Sequence, residues 1–141
     1  MEEMYAMSQD IHMFSVVALL IILIFMLFVH KSKAEFEAYV KRVQILMTVH
    51  ISLLASVVLT GAIMMAAKHL SFTPANLLMI ISIFIILTLE IKRNRALVKV
   101  TKLKQMEPDV CKKLAFKYHL IELVLIIAVS AFAGMSRAVS F

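Results

Sequence analysis

The sequence predicts an all-α fold, an integral membrane four-helix bundle that runs up-down-up-down, and three observations support this. The hydrophobic fraction is 62% and the mean hydropathy is +0.95, above the roughly 45–50% apolar content of soluble domains. Only two Gly and two Pro occur in 141 residues, too few for the turns of a closed β-barrel. Four apolar stretches are each long enough to cross about 30 Å of hydrocarbon as a helix.

These stretches define a single transmembrane domain over residues 1–141. Pro74 suits the first turn of the third helix, and Thr73 suits its N-cap. Apolar residues at helical spacing predict that the first polar connector extends helix 1 or lies along the interface, and that the second connector continues helix 3. The helices are expected at about 11–30, 44–67, 74–91 and 114–136, with connectors at 31–43 and 92–113 and a short turn at 68–73.

Basic residues are concentrated at one end of the predicted bundle. Of 15 Lys and Arg, four lie in residues 31–42 and nine in residues 92–117, which leaves Lys68 and Arg137 elsewhere. Cytoplasmic loops of membrane proteins carry the excess of Lys and Arg, so both long connectors are expected in the cytoplasm and both termini outside. The net charge of +6 then indicates topology and contact with the lipid bilayer, and not nucleic-acid binding. The expected location is the bacterial cytoplasmic (inner) membrane.

Ionisable side chains inside a membrane are costly, so each is a candidate functional residue. His119 and Glu122 are three residues apart and share one helix face with Ala115 and Ile126, followed by Ser130 and Gly134. This stripe is expected to face the other helices. At 1.5 Å per residue, His50, His119 and Glu122 lie at a common depth of about 7–12 Å below the cytoplasmic surface. The full set of candidates is His12, His30, His50, Glu90, His119 and Glu122.

The common depth of His50 and His119 suits two axial ligands of a b-type haem, or a transition-metal site with a carboxylate. Three alternatives stay open. In the first, the cluster only fixes helix register through hydrogen bonds. In the second, it relays protons. In the third, His50 points to lipid, to a bound cofactor or to a second subunit. The last alternative arises because the hydroxyl residues of helix 2 form an i, i+4 ladder roughly opposite His50. The ladder consists of Thr48, Ser52, Ser56 and Thr60.

Three candidates lie nearer to the ends of the predicted helices. His12 and His30 are at the outer and inner ends of helix 1 and are interpreted first as interfacial residues. Glu90 directly precedes Ile91-Lys92-Arg93. It is therefore expected to reach the interface or to pair with those basic residues.

The layout resembles the small HemJ-type membrane proteins, the bacterial protoporphyrinogen oxidase group, and the related CopD-like four-helix segments. The resemblance rests on His12 in DIHMFSVV, on His30 in LFVHKSKAE and on the basic pair Lys41-Arg42 before helix 2. The lysine that the family has near the start of helix 3 has no counterpart in PANLLMIIS, and the chain has no tryptophan. The resemblance implies binding of haem or a porphyrin with His12 as a ligand, and, if the protein is an enzyme, a membrane oxidoreductase of the protoporphyrinogen oxidase type.

The leading functional expectation is a small inner-membrane protein that binds haem b or a porphyrin between its helices. His50 and His119, or alternatively His12, would be the haem-iron ligands, and Glu122 would orient an imidazole. A second hypothesis is a proton- or metal-handling transporter component, which would require a homo-oligomer. A third is a noncatalytic subunit or assembly factor of a larger membrane complex. No Gly-rich phosphate loop and no GxSxG, HExxH or CxxC motif occurs in the sequence, and no catalytic residue is assigned.

Overall fold

A computed structural model of the protein describes residues 2–67 and 72–139, with side chains as far as Ser136. All regular secondary structure in these residues is helical, in agreement with the predicted fold class. The four helices are α1 (Glu2–Lys31), α2 (Phe36–Ala67), α3 (Pro74–Thr101) and α4 (Pro108–Val139).

Each of the four helices is long and apolar enough to cross a membrane. The most apolar 18-residue window of each is no more than 28% buried inside the protein, so most of its apolar surface points outward. Large side chains such as Phe14, Phe25 and Phe84 are more than half exposed. A surface of this kind is typical of a protein that contacts lipid, because soluble monomers rarely expose large contiguous apolar patches.

The helices extend further than the apolar stretches, and the connectors are correspondingly short. α2 begins at Phe36, so most of the first connector belongs to α2 and does not extend α1. The reason is packing: Tyr39 and Val43 are 1% and 2% exposed and form a cluster with Val29 at the end of α1. α3 continues past residue 91 into the second connector, as the apolar spacing predicts, and ends at Thr101. The Lys102 backbone N–H donates to Val98 O at 2.9 Å at this end.

The start of α3 also agrees with the sequence prediction. Pro74 lies in the first turn, and the Thr73 side chain accepts a hydrogen bond from the Asn76 backbone N–H at 3.2 Å. The remainder of the predicted turn between α2 and α3, residues 68–71 with Lys68, lies outside the described residues.

The packing order of the helices leaves one edge of the bundle open. α1 packs against α2 and α4, and α4 packs against α3, whereas α2 and α3 approach each other only slightly. An apolar groove of about 350 Å³ lies along this edge, lined by α2 residues between Ile51 and Ala62 and by Leu87 of α3. The turn 32–35 between α1 and α2 and the turn 102–107 between α3 and α4 lie at the end of the bundle opposite the chain termini. We call this end the basic end of the bundle.

Three layers of the interior position the site, and a further buried apolar cluster of Ala96, Leu97, Val100 and Cys111 lies nearer the basic end. Towards the chain termini, two hydrogen bonds join α1 to α2. They run between the hydroxyl oxygens of Ser15 and Ser56, at 2.9 Å, and between His12 Nδ1 and Thr60 Oγ1, at 3.0 Å. Nearer the basic end lies a group of buried ionisable residues described below. Between the two is an apolar layer of buried side chains, formed by Leu19, Leu23, Leu54, Ile86 and Ile126.

Candidate functional site

α4 supplies the two residues in the middle of the site. His119 and Glu122 are both 0% exposed. They belong to a buried stripe with the periodicity of one helix face, whose other members are Cys111, Ala115, Ile126 and Val129. The predicted stripe is therefore confirmed from Ala115 to Ile126. Beyond that point Val129 faces inward, and Ser130 and Gly134 are exposed.

Residues from all four helices converge on His119 and Glu122. α1 contributes His30, α2 contributes His50, and α3 contributes Glu90 and Arg93. All are at least 94% buried, with exposures of 5%, 0%, 6% and 3% in that order. We call these six residues, His30, His50, Glu90, Arg93, His119 and Glu122, the polar centre.

Arg93 lies between two parts of the polar centre. One part is the pair His30 and His119, and the other is formed by His50, Glu90 and Glu122. Its Nη1 lies at hydrogen-bond contact with Nε2 of His119, and its Nη2 donates to Oε2 of Glu90. Glu90 and Arg93 are three residues apart in α3, so they share a face of that helix. The guanidinium is the only side chain of the polar centre that is always cationic.

The contact with Arg93 determines where the protons of the neighbouring imidazoles lie. A guanidinium can only donate, so Nε2 of His119 accepts and its Nδ1 carries the hydrogen. That Nδ1 is 3.1 Å from Ala115 O and 2.7 Å from Nε2 of His30. His30 Nε2 therefore accepts, and its Nδ1–H donates to the Tyr39 hydroxyl at 2.8 Å. His30 and His119 are thus neutral, with all four ring nitrogens engaged, and their rings stack at 4.7 Å.

The side chains of His50, Glu90 and Glu122 have fewer hydrogen-bond partners than the two stacked histidines. His50 Nδ1 is 2.9 Å from Oε1 of Glu90, although the angles are not those of a hydrogen bond, and His50 Nε2 is 3.9 Å from Oε2 of Glu122. Neither carboxylate oxygen of Glu122 has a hydrogen-bond partner among the described residues. A buried carboxylate in this state is costly unless a proton or a cation neutralises it.

These three side chains form a set of metal ligands. One ring nitrogen of His50 and one carboxylate oxygen each of Glu90 and Glu122 lie within 4.8 Å of one another, and all three residues are buried. Imidazole and carboxylate together suit divalent transition metals such as Mn²⁺, Fe²⁺ and Zn²⁺. Three protein ligands would leave further coordination positions for water or a substrate.

The structure brings together most of the residues singled out in the sequence. His50, His119 and Glu122 converge, which is one of the two outcomes that their common depth left open. Glu90 pairs with a neighbouring basic residue, as one of its two interpretations expected. His12 lies elsewhere, beyond the apolar layer, where its Nδ1 contacts Thr60 and its ring lies 3.6 Å from the position that a Cβ on Gly61 would occupy.

The hydroxyl ladder of α2 does not form one packing surface. Thr48 and Ser52 are exposed and donate to the carbonyl oxygens four residues earlier, at 3.1 and 2.9 Å, whereas Ser56 and Thr60 face α1. Each i, i+4 step turns by about 40° in a helix with 3.6 residues per turn, so the ladder rotates by about 120° along its length. His50 can therefore face the interior.

The sequence analysis placed two members of the polar centre, and one residue beside it, too close to the membrane surface. Arg93 was counted among the cytoplasmic basic residues, and His30 was interpreted as interfacial. Tyr39 was placed in a connector. The signal that could have found Arg93 is its spacing of three residues from Glu90, since an arginine that can pair with an intramembrane carboxylate need not reach water.

The donor set favours a metal ion over a haem held by His50 and His119. Each axial imidazole of a bis-histidine haem points one ring nitrogen at the iron. Here both ring nitrogens of His119 have protein partners, and the His50 and His119 rings meet edge to face with centroids 6.2 Å apart. Arg93 would have to release His119 before that nitrogen could bind iron.

Comparison of the chain with protein-family models, with curated proteins and with solved structures finds no match. The resemblance to HemJ-type proteins therefore stays a prediction, and the functional argument depends on the chemistry of the site.

Replacing Arg93 by Gln should destabilise the fold by about 3–5 kcal/mol, because it leaves the buried Glu90 carboxylate without its cation. Unfolding in mixed micelles with increasing SDS would measure this loss. The exposed Arg95→Gln, two residues away on the same helix, should change stability by no more than about 0.5 kcal/mol.

A double variant with Glu90→Gln and Arg93→Gln tests whether the unpaired carboxylate of Glu90 causes the loss of stability. It removes both charges, so it should be more stable than Arg93→Gln alone. Equal losses for Arg93→Gln and Arg95→Gln would show that the pair is not buried in the folded protein.

Proposed function

We propose that this protein is a multi-pass protein of the bacterial cytoplasmic membrane that binds a divalent transition metal ion through His50, Glu90 and Glu122. The observation that carries the proposal is the fully buried carboxylate of Glu122, which faces the imidazole of His50. Neither of its oxygens has a hydrogen-bond partner in the part of the chain that the structure describes.

Charge balance supports a cation at this place. Glu90 and Glu122 bring two carboxylates into the interior, and Arg93 supplies one positive charge, which it directs to Glu90. The second carboxylate then needs a proton or a metal ion. The convergence of His50 and Glu90 on Glu122 from two other helices favours the metal ion, since a proton on Glu122 would need only one acceptor nearby.

The surroundings of the site favour a resident ion over a transport path. The apolar layer of five buried side chains separates the polar centre from the Ser15–Ser56 and His12–Thr60 pairs. A second buried apolar cluster, formed by Ala96, Leu97, Val100 and Cys111, lies on the side of the basic end. An ion held by His50 and Glu122 would therefore be enclosed on both sides. Such a site suits a metal-dependent membrane protein, in which water or a substrate occupies the remaining coordination positions.

Haem binding is the second proposal, and its support is the burial of three histidines, His30, His50 and His119, in one place. Purified protein produced with ample haem would then show a Soret band and an α-band in the reduced-minus-oxidised spectrum. Absence of both bands would exclude haem and leave the metal proposal intact.

Metal binding should be measured on protein purified in detergent, stripped with a chelator and titrated with Zn²⁺ or Mn²⁺. We expect one ion per chain. Glu122→Gln and His50→Ala should each weaken binding by at least about tenfold, because both remove a ligand. Mg²⁺ should not compete, since it prefers oxygen ligands and keeps its waters.

Matched controls use the same residue types outside the polar centre. Glu37→Gln changes an exposed glutamate at the start of α2, and His12→Ala changes the histidine beyond the apolar layer. Both should bind the ion as the unmodified protein does. Binding that is unaffected by Glu122→Gln and His50→Ala, or no binding at all, would contradict the metal proposal.

Membrane topology is testable separately with single cysteines in a Cys111→Ala background. Lys33→Cys and Lys104→Cys, in the turns of the basic end, should react with a membrane-impermeant maleimide only after the cells are opened. Glu3→Cys and Phe72→Cys, both exposed and at the opposite end, should react in intact cells. The reverse pattern, or labelling of both ends from one side, would contradict the proposed orientation.

A further inference from the structure

A second cavity lies at the basic end of the bundle, between the end of α1 and the start of α4. Its volume is about 410 Å³, and it opens towards the surface. It is lined by His30, Lys31, Asp109, Lys112, Lys113 and Phe116.

The lining carries an excess of positive charge. Three lysines face one carboxylate, Asp109, and His30 is neutral with both ring nitrogens engaged by Tyr39 and His119. The lysines alone therefore supply the charge that a ligand would meet. A site with this composition suits an anion, and above all a phosphate group, for which lysine acts as a point charge.

Two of the lysines that line the cavity contact aromatic rings. Lys31 Nζ is 5.0 Å from the centroid of the Phe116 ring, and Lys112 Nζ is 5.0 Å from that of Tyr39. Lys112 also donates to the Ala34 carbonyl oxygen at 3.3 Å. The contacts restrict both side chains, and the contact with Phe116 keeps the Lys31 ammonium at the wall of the cavity, where a ligand would find it already positioned.

An apolar surface continues from the cavity towards the middle of the helices. Phe28 lies one turn before Lys31 on α1, and Leu120 lies one turn after Phe116 on α4, with side chains 69% and 43% exposed. One turn further, Ile24 and Val124 are 45% and 60% exposed. Side chains at these spacings share a helix face, so the cationic cavity lies at the end of an outward-facing apolar strip.

We propose that this cavity binds the phosphate headgroup of one anionic phospholipid, whose acyl chains lie along the strip formed by Ile24, Phe28, Leu120 and Val124. The strip selects a lipid over a free phosphate, because a soluble phosphate ester would leave it unused. The inference rests on the proposed membrane location, and it is independent of the metal site.

The test is native mass spectrometry of the full chain, delipidated in detergent and titrated with phosphatidylglycerol or with phosphatidylcholine of the same acyl chains. We expect one phosphatidylglycerol to be retained per chain, at concentrations where phosphatidylcholine is lost. The double variant Lys31→Gln and Lys113→Gln, which changes two exposed lysines of the cavity, should weaken retention by about tenfold or more.

The matched control is Lys102→Gln with Lys104→Gln, which removes the same charge from the α3–α4 turn outside the cavity and should retain the lipid fully. Equal retention of the two lipids, or an equal loss in both double variants, would overturn the proposal. Displacement of the lipid by millimolar inorganic phosphate would also overturn it and assign the cavity to a free anion. Unchanged Zn²⁺ binding by the Lys31/Lys113 variant would show that the lipid result is separate from the metal site.

Discussion

The contact of Arg93 with Glu90 and His119 is the interaction on which the rest of the interior depends. It joins α3 to α4 directly, and through the His119–His30 bond it reaches α1. Because the guanidinium only donates, it also sets the direction of every hydrogen bond from His119 to Tyr39. It occupies one oxygen of Glu90 and leaves the other beside His50.

This arrangement also explains how the open edge of the bundle is held. α2 and α3 pack together only slightly along their length, and the 2.9 Å contact between His50 and Glu90 spans the gap between them. Helix association inside a membrane gains little from the hydrophobic effect, so it depends on polar contacts and close packing. A metal ion shared by His50, Glu90 and Glu122 would tie α2, α3 and α4 together at the one edge where direct packing is weakest.

The number of helices, their apolar character and the common depth of His50, His119 and Glu122 could be predicted from the sequence, but not that these side chains converge. The start of α3 could be predicted from Thr73 and Pro74. The starts of α2 and α4 could not, because hydropathy falls where charged residues begin, although the helical hydrogen bonds continue. Phe36 and Tyr39 were thus placed in a connector, and α4 was expected to start six residues after Pro108.

The composition of the site was harder to predict for a related reason. Position in the sequence placed Arg93 and His30 near water, whereas the long α2 and α3 helices extend past them and bury both. Whether an ionisable residue near a helix end faces inward depends on its rotational position relative to three other helices. Spacing within one helix shows only which residues of that helix share a face, such as Glu90 with Arg93 and His119 with Glu122. It does not show which neighbouring helix that face meets.

The central claim is that a single imidazole and two carboxylates hold a metal ion in the interior of the bundle. X-ray absorption at the metal edge of the tag-free, Zn²⁺-loaded protein tests it most directly. The account predicts a first shell of nitrogen and oxygen only, at about 2.0–2.2 Å, with outer-shell scattering from one imidazole. A sulfur ligand, or scattering from two or more imidazoles, would contradict it, because His30 and His119 use all their ring nitrogens within the protein.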